Sequence, residues 1–592
     1  MNWWSDRQYR TPSLRRSLIC SLCLCASALA FAQQLPPENQ RLFDTGKLWI
    51  TVRYFHPYLA YRTDINWDTA LIDTLPKIRA ASSPQDYAAA VNTMLAALHD
   101  PLTYAALLQN KKLQDEGKVG IQRSRFYHGL PPNRSHSPFY YSGLILKPSP
   151  GSIETVTVPL GANVFASVRL SEPVPEKESS SVLLQPDRPY TEPAYPSVEY
   201  RILAAYQIWG VIHYFFAYKD LMDEDWDKIL GDYLPKFIAA KDGREYHLAV
   251  AELISYLSDS DATVRSAELT QYFGEVPVGL RLRLIDKKPI ITEILDEEAK
   301  KSGVKPGDMV AKVDGENMGE RIKREANYLS ASTAQSLGYS VMEQILSGPE
   351  SSTAVLTIAS ADGQTKEVKL VRSRQYLSAL KTQRTGDIVK ILPNGIGYAD
   401  LDRLQPSEVD AMFEKLRDTQ AIIFDMRGQP HDIAGAIAGR LTEKENVGAA
   451  IITGPIAMHP DLPQPGRETS TASYFEIQTV PYSDRWKYKG KTVMLIDGRT
   501  SGAAERTGLF LEAANRTESI GTPSAGADGD PSSFDVPGGI TITFSGHDIR
   551  HPNGGALQRL GLQPAVTVTP TVGGIRAGRD EVLEAALQYL SK

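Results

Sequence analysis

Residues 491–530, KTVMLIDGRTSGAAERTGLFLEAANRTESIGTPSAGADGD, constrain the fold of this 592-residue chain more than any other stretch. Val493 to Ile496 are an apolar run of strand length, and Asp497-Gly498 ends it. From Ala503 the spacing turns helical. Ala503, Thr507, Phe510, Leu511 and Ala514 share one face, and Glu505, Glu512 and Arg516 are expected to point outward. A second apolar step, Glu518 to Gly521, leads into a Pro-Ser-Ala-Gly loop. The order strand, tight turn, helix, strand belongs to a layered α/β domain. The first N–H groups of a helix have no partner within it and stabilise negative charge. A nucleophile at such a turn therefore meets a ready oxyanion site. The serines within reach are Ser501 and, further off, Ser524. Gly502 is expected as the N-cap with Glu505 three residues on, a capping arrangement that lacks its serine.

An internal repeat organises the N-terminal half. Residues 48–58, LWITVRYFHPY, align with 208–218, IWGVIHYFFAY, so that Trp49, Tyr54, Phe55 and Tyr58 match Trp209, Tyr214, Phe215 and Tyr218. The match continues with Trp67-Asp68 on Trp226-Asp227, Leu75-Pro76-Lys77 on Leu234-Pro235-Lys236, and Tyr87 on Tyr246. Each copy, 33–117 and 196–268, reads as about three helices with aromatics on the core face. The copies end differently, on Asp100-Pro-Leu-Thr103 and on Asp259-Ser-Asp-Ala262. Asp261 reads as an aspartate in a turn, and an ordinary carboxyl pKa of roughly 3.9 makes it a weak base. Between the copies, 118–195 is rich in Pro and Ser with short alternating runs such as Val156–Val158 and Val164–Val168. A small β-rich insert is expected there.

Charged residues at 23% and apolar residues at 42% describe an ordinary globular protein with ample core. The net charge is −6 and no basic stripe occurs, which argues against a nucleic-acid partner. The first 32 residues differ. Arg7, Arg10, Arg15 and Arg16 precede an apolar run that ends Ala30-Phe31-Ala32, the pattern of a cleaved signal peptide. Export with cleavage near Ala32 is expected, and the run is too short for a lasting membrane span. Cys20, Cys23 and Cys25, the chain's three cysteines, all fall inside it, so no disulfide is expected in the mature protein. No His, Cys and carboxylate cluster has ligand spacing, and neither metal nor other cofactor is expected.

Residues 269–375 resemble a PDZ domain in Gly279-Leu-Arg-Leu282, Ile290–Ile294, GVKPGD at 303–308 and Met309–Val313, with a helical insertion at 319–350. Such domains add a peptide as an extra strand and hold its carboxylate on backbone N–H groups. The resemblance implies a peptide-binding loop at Gly279, Leu280, Arg281 and Leu282, and a protein or peptide partner captured through its C-terminus.

From 376 to 592, strand and helix patterns alternate. Ala421–Phe424 is a strand leading into Asp425-Met-Arg-Gly-Gln-Pro430, and the tail runs through Arg550-His-Pro-Asn-Gly-Gly555 and Leu560-Gly-Leu-Gln-Pro564 to a last helix with Val582, Leu583, Ala586 and Leu590 on one face. With the 491–530 stretch, these segments resemble the C-terminal processing (tail-specific) serine peptidases and their tricorn-like relatives. That resemblance implies a multidomain α+β protein: duplicated helical units, a β-rich insert, a PDZ-like domain and an α/β crotonase-like peptidase core. It implies an exported serine-type endopeptidase. The nucleophile position is Gly502, with Ser501 one residue early. The tricorn-like His position is Asp261, the processing-protease Lys position is Ala527, and the tricorn-like Glu position is Gln558. Oxyanion N–H groups fall on Gly428 and Gly502. His431, His459, His547 and His551 are the replacement bases available in the core. Three readings stay open: a peptidase using Ser501 or a rearranged site, a peptide-binding scaffold that lost hydrolysis, and a structural partner in an envelope complex. The sequence leaves the oligomeric state open.

Overall fold

The computed structural model describes residues 36–107, 121–129, 140–148, 153–174, 182–183, 189–381, 384–462 and 472–591. The signal-peptide segment with its three cysteines lies outside them.

The repeat is a structural duplication. Helices α1 (Glu38–Phe55), α2 (Trp67–Ala80) and α3 (Pro84–Leu95) are matched by α4 (Val198–Phe215), α5 (Trp226–Ala239) and α6 (Gly243–Ser255). Equivalent residues do equivalent work. Asn66 and Asp225 cap α2 and α5, and Ser83 and Asp242 cap α3 and α6, each accepting from a first-turn N–H. Arg41 donates to the carbonyls of Pro36, Ile78 and Arg79, and Arg201 to those of Pro196, Phe237 and Ile238. Each guanidinium closes the end of a proline-containing helix whose last carbonyls lack partners. The copies meet through glycines: the Tyr206 ring lies over Gly46 and the Ile50 side chain over Gly210, each glycine facing the bulky residue at its own repeat-equivalent position.

Residues 280–371 hold an antiparallel sheet of β3 (Leu280–Ile285), β4 (Lys288–Ile294), β5 (Met309–Val313), β6 (Thr353–Ala359) and β7 (Thr365–Val371), in the order β7-β6-β5-β4-β3. Edge strand β3 packs against helix α7 (Ala334–Gln344). A short helix, α8 (Gln375–Lys381), then leads into the C-terminal part.

That part is built on a sheet of β8 (Val389–Leu392), β9 (Ile396–Asp400), β10 (Ala421–Asp425), β13 (Lys491–Ile496), β14 (Glu518–Gly521) and β17 (Val566–Thr567), in that order. All pairs but β8–β9 are parallel. β10 and β13 are buried along nearly their whole length, as a parallel strand covered on both faces must be. Helix α9 (Ala503–Asn515) crosses from β13 to β14. Glu505 is fully buried and Ala503 exposed, the reverse of their expected placement, because Glu505 reaches the 524–527 loop and not its own N-cap.

The region expected to be a separate insert is shared structure. Strands β1 (Ile121–Gly129) and β2 (Tyr140–Pro148) join β11 (Gly448–Ala457) and β12 (Ala472–Thr479) in one sheet, β1 pairing with β11 through Ala457 opposite Tyr127. Hairpin β15 (Pro531–Val536) and β16 (Ile540–Ser545) pairs with residues 263–265, just after Asp261. Its Phe534, Val536, Ile540, Ile542 and Phe544 lie in the same apolar core as α1–α6. Among the described residues, no helix is long and apolar enough to cross a membrane.

Candidate active site

Register brings the two candidate turns together. Asp425 at the end of β10 stands opposite Leu495 near the end of β13, so both chains leave the sheet at one edge. Thr500 Oγ1 donates to the Met426 carbonyl at 2.9 Å, and Gln429 Nε2 donates to Ser501 Oγ at 2.6 Å. Between them Gly502 has φ 54° and ψ −119°, the positive-φ turn of a nucleophile elbow. A side chain at 502 would meet nothing within 4 Å. The turn has room for a Cβ at its positive-φ position, and a glycine occupies it.

The two N–H groups expected to form the oxyanion hole are engaged inside the protein. Gly502 donates to the Ala527 carbonyl at 2.6 Å and Gly428 to the Met426 carbonyl at 2.8 Å. The Ala503 N–H, first in α9, has no acceptor among the described residues. Gly428 is required sterically, since a Cβ there would fall 2.4 Å from Cγ of Asp402, whose carboxylate holds the Gln429 N–H.

Beside the elbow lies a nest of buried acids. Glu505 accepts from Ser524 Oγ and from the N–H groups of Gly526 and Ala527, both at 2.8 Å. Burial pushes its carboxyl up to about 8 against those hydrogen bonds. Asp259 accepts from the Ser545 N–H and hydroxyl at 2.9 Å, and Ser545 Oγ lies 3.2 Å from Asp261 Oδ2. Gln558 Nε2 reaches Asp259 at 3.5 Å and Ser332 at 3.1 Å. Asp528 is gripped by Arg506 through two bonds of 2.7 Å. Burial, then the carboxylates of Asp259 and Asp528, push Asp261 up to about 8. This reverses the expectation of an ordinary acidic aspartate. A carboxyl pushed up in this way is held largely protonated at neutral pH and is then a poor base.

Of the four family positions, Gly502 touches the Ala527 carbonyl, while Asp261 and Gln558 are joined through Asp259 and Ser545. Ser524 is fully buried, donating to Glu505 and accepting from the Leu562 N–H, which rules it out as a nucleophile. His431 is exposed beside Gln405, His459 meets Glu154, and His551 faces Glu512. His547 lies between Tyr474 and Asp530. Asp259 and Ser545 escaped the sequence reading. One signal was available: Asp100, which holds the same place in the first repeat, is also buried and anchors Arg169 and His56.

The expected peptide-binding loop is not a loop. Leu280, Arg281 and Leu282 are buried in β3, and Gly279 is boxed in by Tyr376 of α8 and by Asp296. Arg281 instead binds Glu293 and the Leu380 carbonyl at the end of α8. A cavity of about 270 Å³ opens one step along β3, between Arg283, Gln335 and Tyr339 on one wall and Arg427 and Asp497 on the other. Among the described residues no group of three or more His, Cys, Asp or Glu could hold a metal ion.

Residues 395–568, which hold the parallel sheet and the turn between β13 and α9, match the model of peptidase family S41. The chain is similar to a probable CtpA-like serine protease of Staphylococcus haemolyticus (strain JCSC1435), 24% identical over 223 residues. That match covers 36% of this chain and spans 38% of the relative's length. Among solved structures, a point mutant of CPAF superposes with a TM-score of 0.52 at 13% identity, over 67% of this chain and 96% of that one, and shares its fold. The photosystem II D1 C-terminal processing protease aligns over 64% of this chain and 97% of its own, at 16% identity and a TM-score of 0.39.

Proposed function

We propose that this protein is an exported member of the tail-specific branch of these peptidases, acting on protein or peptide chains, with a degenerate serine-type centre. The observation that carries this reading is the elbow at Gly502, which retains the strained backbone of a nucleophile turn and has no hydroxyl. The base side agrees, since Asp261 is protonated by its surroundings and Ala527 has no amine. Ser501 does not substitute readily. Its hydroxyl is bonded to Gln429, and a reacting oxygen must come within about 3–3.5 Å in line, small misplacements costing about 10²-fold. A peptide would enter along the free edge of β3, beside α7, and meet the cavity lined by Arg283 and Arg427. A peptide-binding scaffold of the same fold, without hydrolysis, is the second reading, and the missing hydroxyl favours it equally.

Cleavage of casein by purified mature protein separates these. Wild type is expected to show weak or no activity, and Gly502→Ser alone little more. Gly502→Ser with Asp261→His is expected to cleave measurably, because it restores both the hydroxyl and a base that is neutral at pH 7. Robust wild-type cleavage abolished by Ser501→Ala would retire the scaffold reading, overturn the degenerate centre and make Ser501 the nucleophile.

A further inference from the structure

Away from the elbow, a second hydroxyl, an imidazole and a carboxylate stand in line. Tyr474 Oη lies 2.7 Å from Nε2 of His547, whose Nδ1 lies 3.1 Å from Oδ2 of Asp530. Burial raises the Asp530 carboxyl, but the His547 hydrogen bond and the Arg506 charge outweigh it and hold the group below its usual range. An ionised carboxylate only accepts, so Nδ1 carries the imidazole proton and Nε2 is left to accept the phenol's. The charged and titratable groups around His547 include Asp530 and Asp528 from the loop after β14, Arg506 from α9 and Tyr474 from β12. The His547 ring is buried.

Tyr474 is positioned by its strand. Gly454 stands directly opposite it on β11, and a Cβ there would fall 2.3 Å from the Tyr474 ring. The ring therefore lies across the bare backbone of Gly454 and carries its hydroxyl to the imidazole. β12 is the outermost strand of its sheet, and Tyr474 is half-buried on it. A nucleophile hydrogen-bonded to a base that a third group orients is the general plan of covalent catalysis.

We propose that Tyr474, His547 and Asp530 form an acyl-accepting site for small activated esters, with Tyr474 as nucleophile, His547 as base and Asp530 as the positioning residue. The phenolic oxygen bonds to the ester carbonyl carbon while its proton passes to Nε2 of His547. The ester C–O bond then breaks, and the departing oxygen takes that proton. An O-acyl tyrosine remains, which water hydrolyses to tyrosine and a carboxylic acid.

The test is acetylation of the full mature chain by 4-nitrophenyl acetate, followed by peptide mapping. Tyr482, 65% exposed, serves as comparator within the same molecule. General-base assistance contributes about 10²-fold or more, so Tyr474 is expected to acetylate at least about tenfold faster than Tyr482. His547→Gln should bring it to the Tyr482 rate. Asp530→Asn should slow it several-fold. The wild-type comparison needs no variant to fold. Equal labelling of Tyr474 and Tyr482, or an unchanged Tyr474 rate in a folded His547→Gln protein, would overturn the proposal.

Discussion

Asp261 shows how far a residue's chemistry can depart from its type. In a solvated turn its carboxyl would ionise near 4, yet here it is half-buried beside the buried carboxylates of Asp259 and Asp528 and is pushed up to about 8. The sign of the stability effect follows. Between about pH 4 and pH 8 the folded protein keeps a proton that the unfolded chain has released. Folding is therefore favoured most below that window, and stability is lost as pH rises through it. Urea midpoints of wild type should fall between pH 5 and pH 8.5. Asp261→Asn should flatten that fall, since one titrating proton contributes roughly 1.4 kcal/mol per pH unit. Parallel pH profiles for the two proteins would mean that Asp261 ionises normally. Little of this was legible in the sequence. The position of Asp261 could be read from its neighbours in the chain, but its protonation also depends on burial and on Asp528, which is distant in sequence.

At the scale of elements, the duplicated helices show what a repeat does and does not preserve. The periodicity, caps and arginine clamps recur because each copy solves the same local problem. Where the copies touch, identical residues could not both fit, so a glycine on one side faces a bulky side chain on the other. A Cβ at Gly46 would fall 2.4 Å from the Tyr206 ring, which is anchored through its hydroxyl to the Leu42 carbonyl. Gly46→Ala should thus destabilise the protein by about 1–3 kcal/mol, although alanine is the better helix former. Chemical denaturation measures this, and a neutral or stabilising substitution would show that the α1–α4 contact can spread without cost. In α9 the 3.6-residue pattern located the helix correctly but misjudged Glu505, because the pattern cannot see a loop that approaches the polar face.

At the scale of the molecule, the helical half and the C-terminal half share a core. Phe534, Val536, Ile540, Ile542 and Phe544 of the β15–β16 hairpin are buried against α1–α6, and Tyr218 donates to the Asp528 carbonyl while accepting from the Ile549 N–H. Burying each such large apolar side chain contributes about 1.5–3 kcal/mol. Exposing all five approaches the whole stability of a typical domain. A fragment of residues 376–592 is therefore expected to aggregate or to bind a hydrophobic dye, with near-ultraviolet circular dichroism weaker than that of the full chain. A monomeric fragment with native-like dichroism would contradict the shared core.

The sequence by itself determined what depends on neighbours along the chain. It contained the strand–turn–helix at 491–515, the duplicated helices and the helical character of 319–350, because periodicity and turn residues are local. Only the tertiary structure decided what depends on neighbours in space. It turned the Gly502 N–H to the Ala527 carbonyl, buried Glu505, closed Gly279–Leu282 under α8, joined the insert to β11 and set Tyr474 on His547. Hydrogen-bond partners and pKa values follow from which groups are brought within a few ångströms and how much water is removed. Strand register and core packing settle both, and no window of sequence contains them.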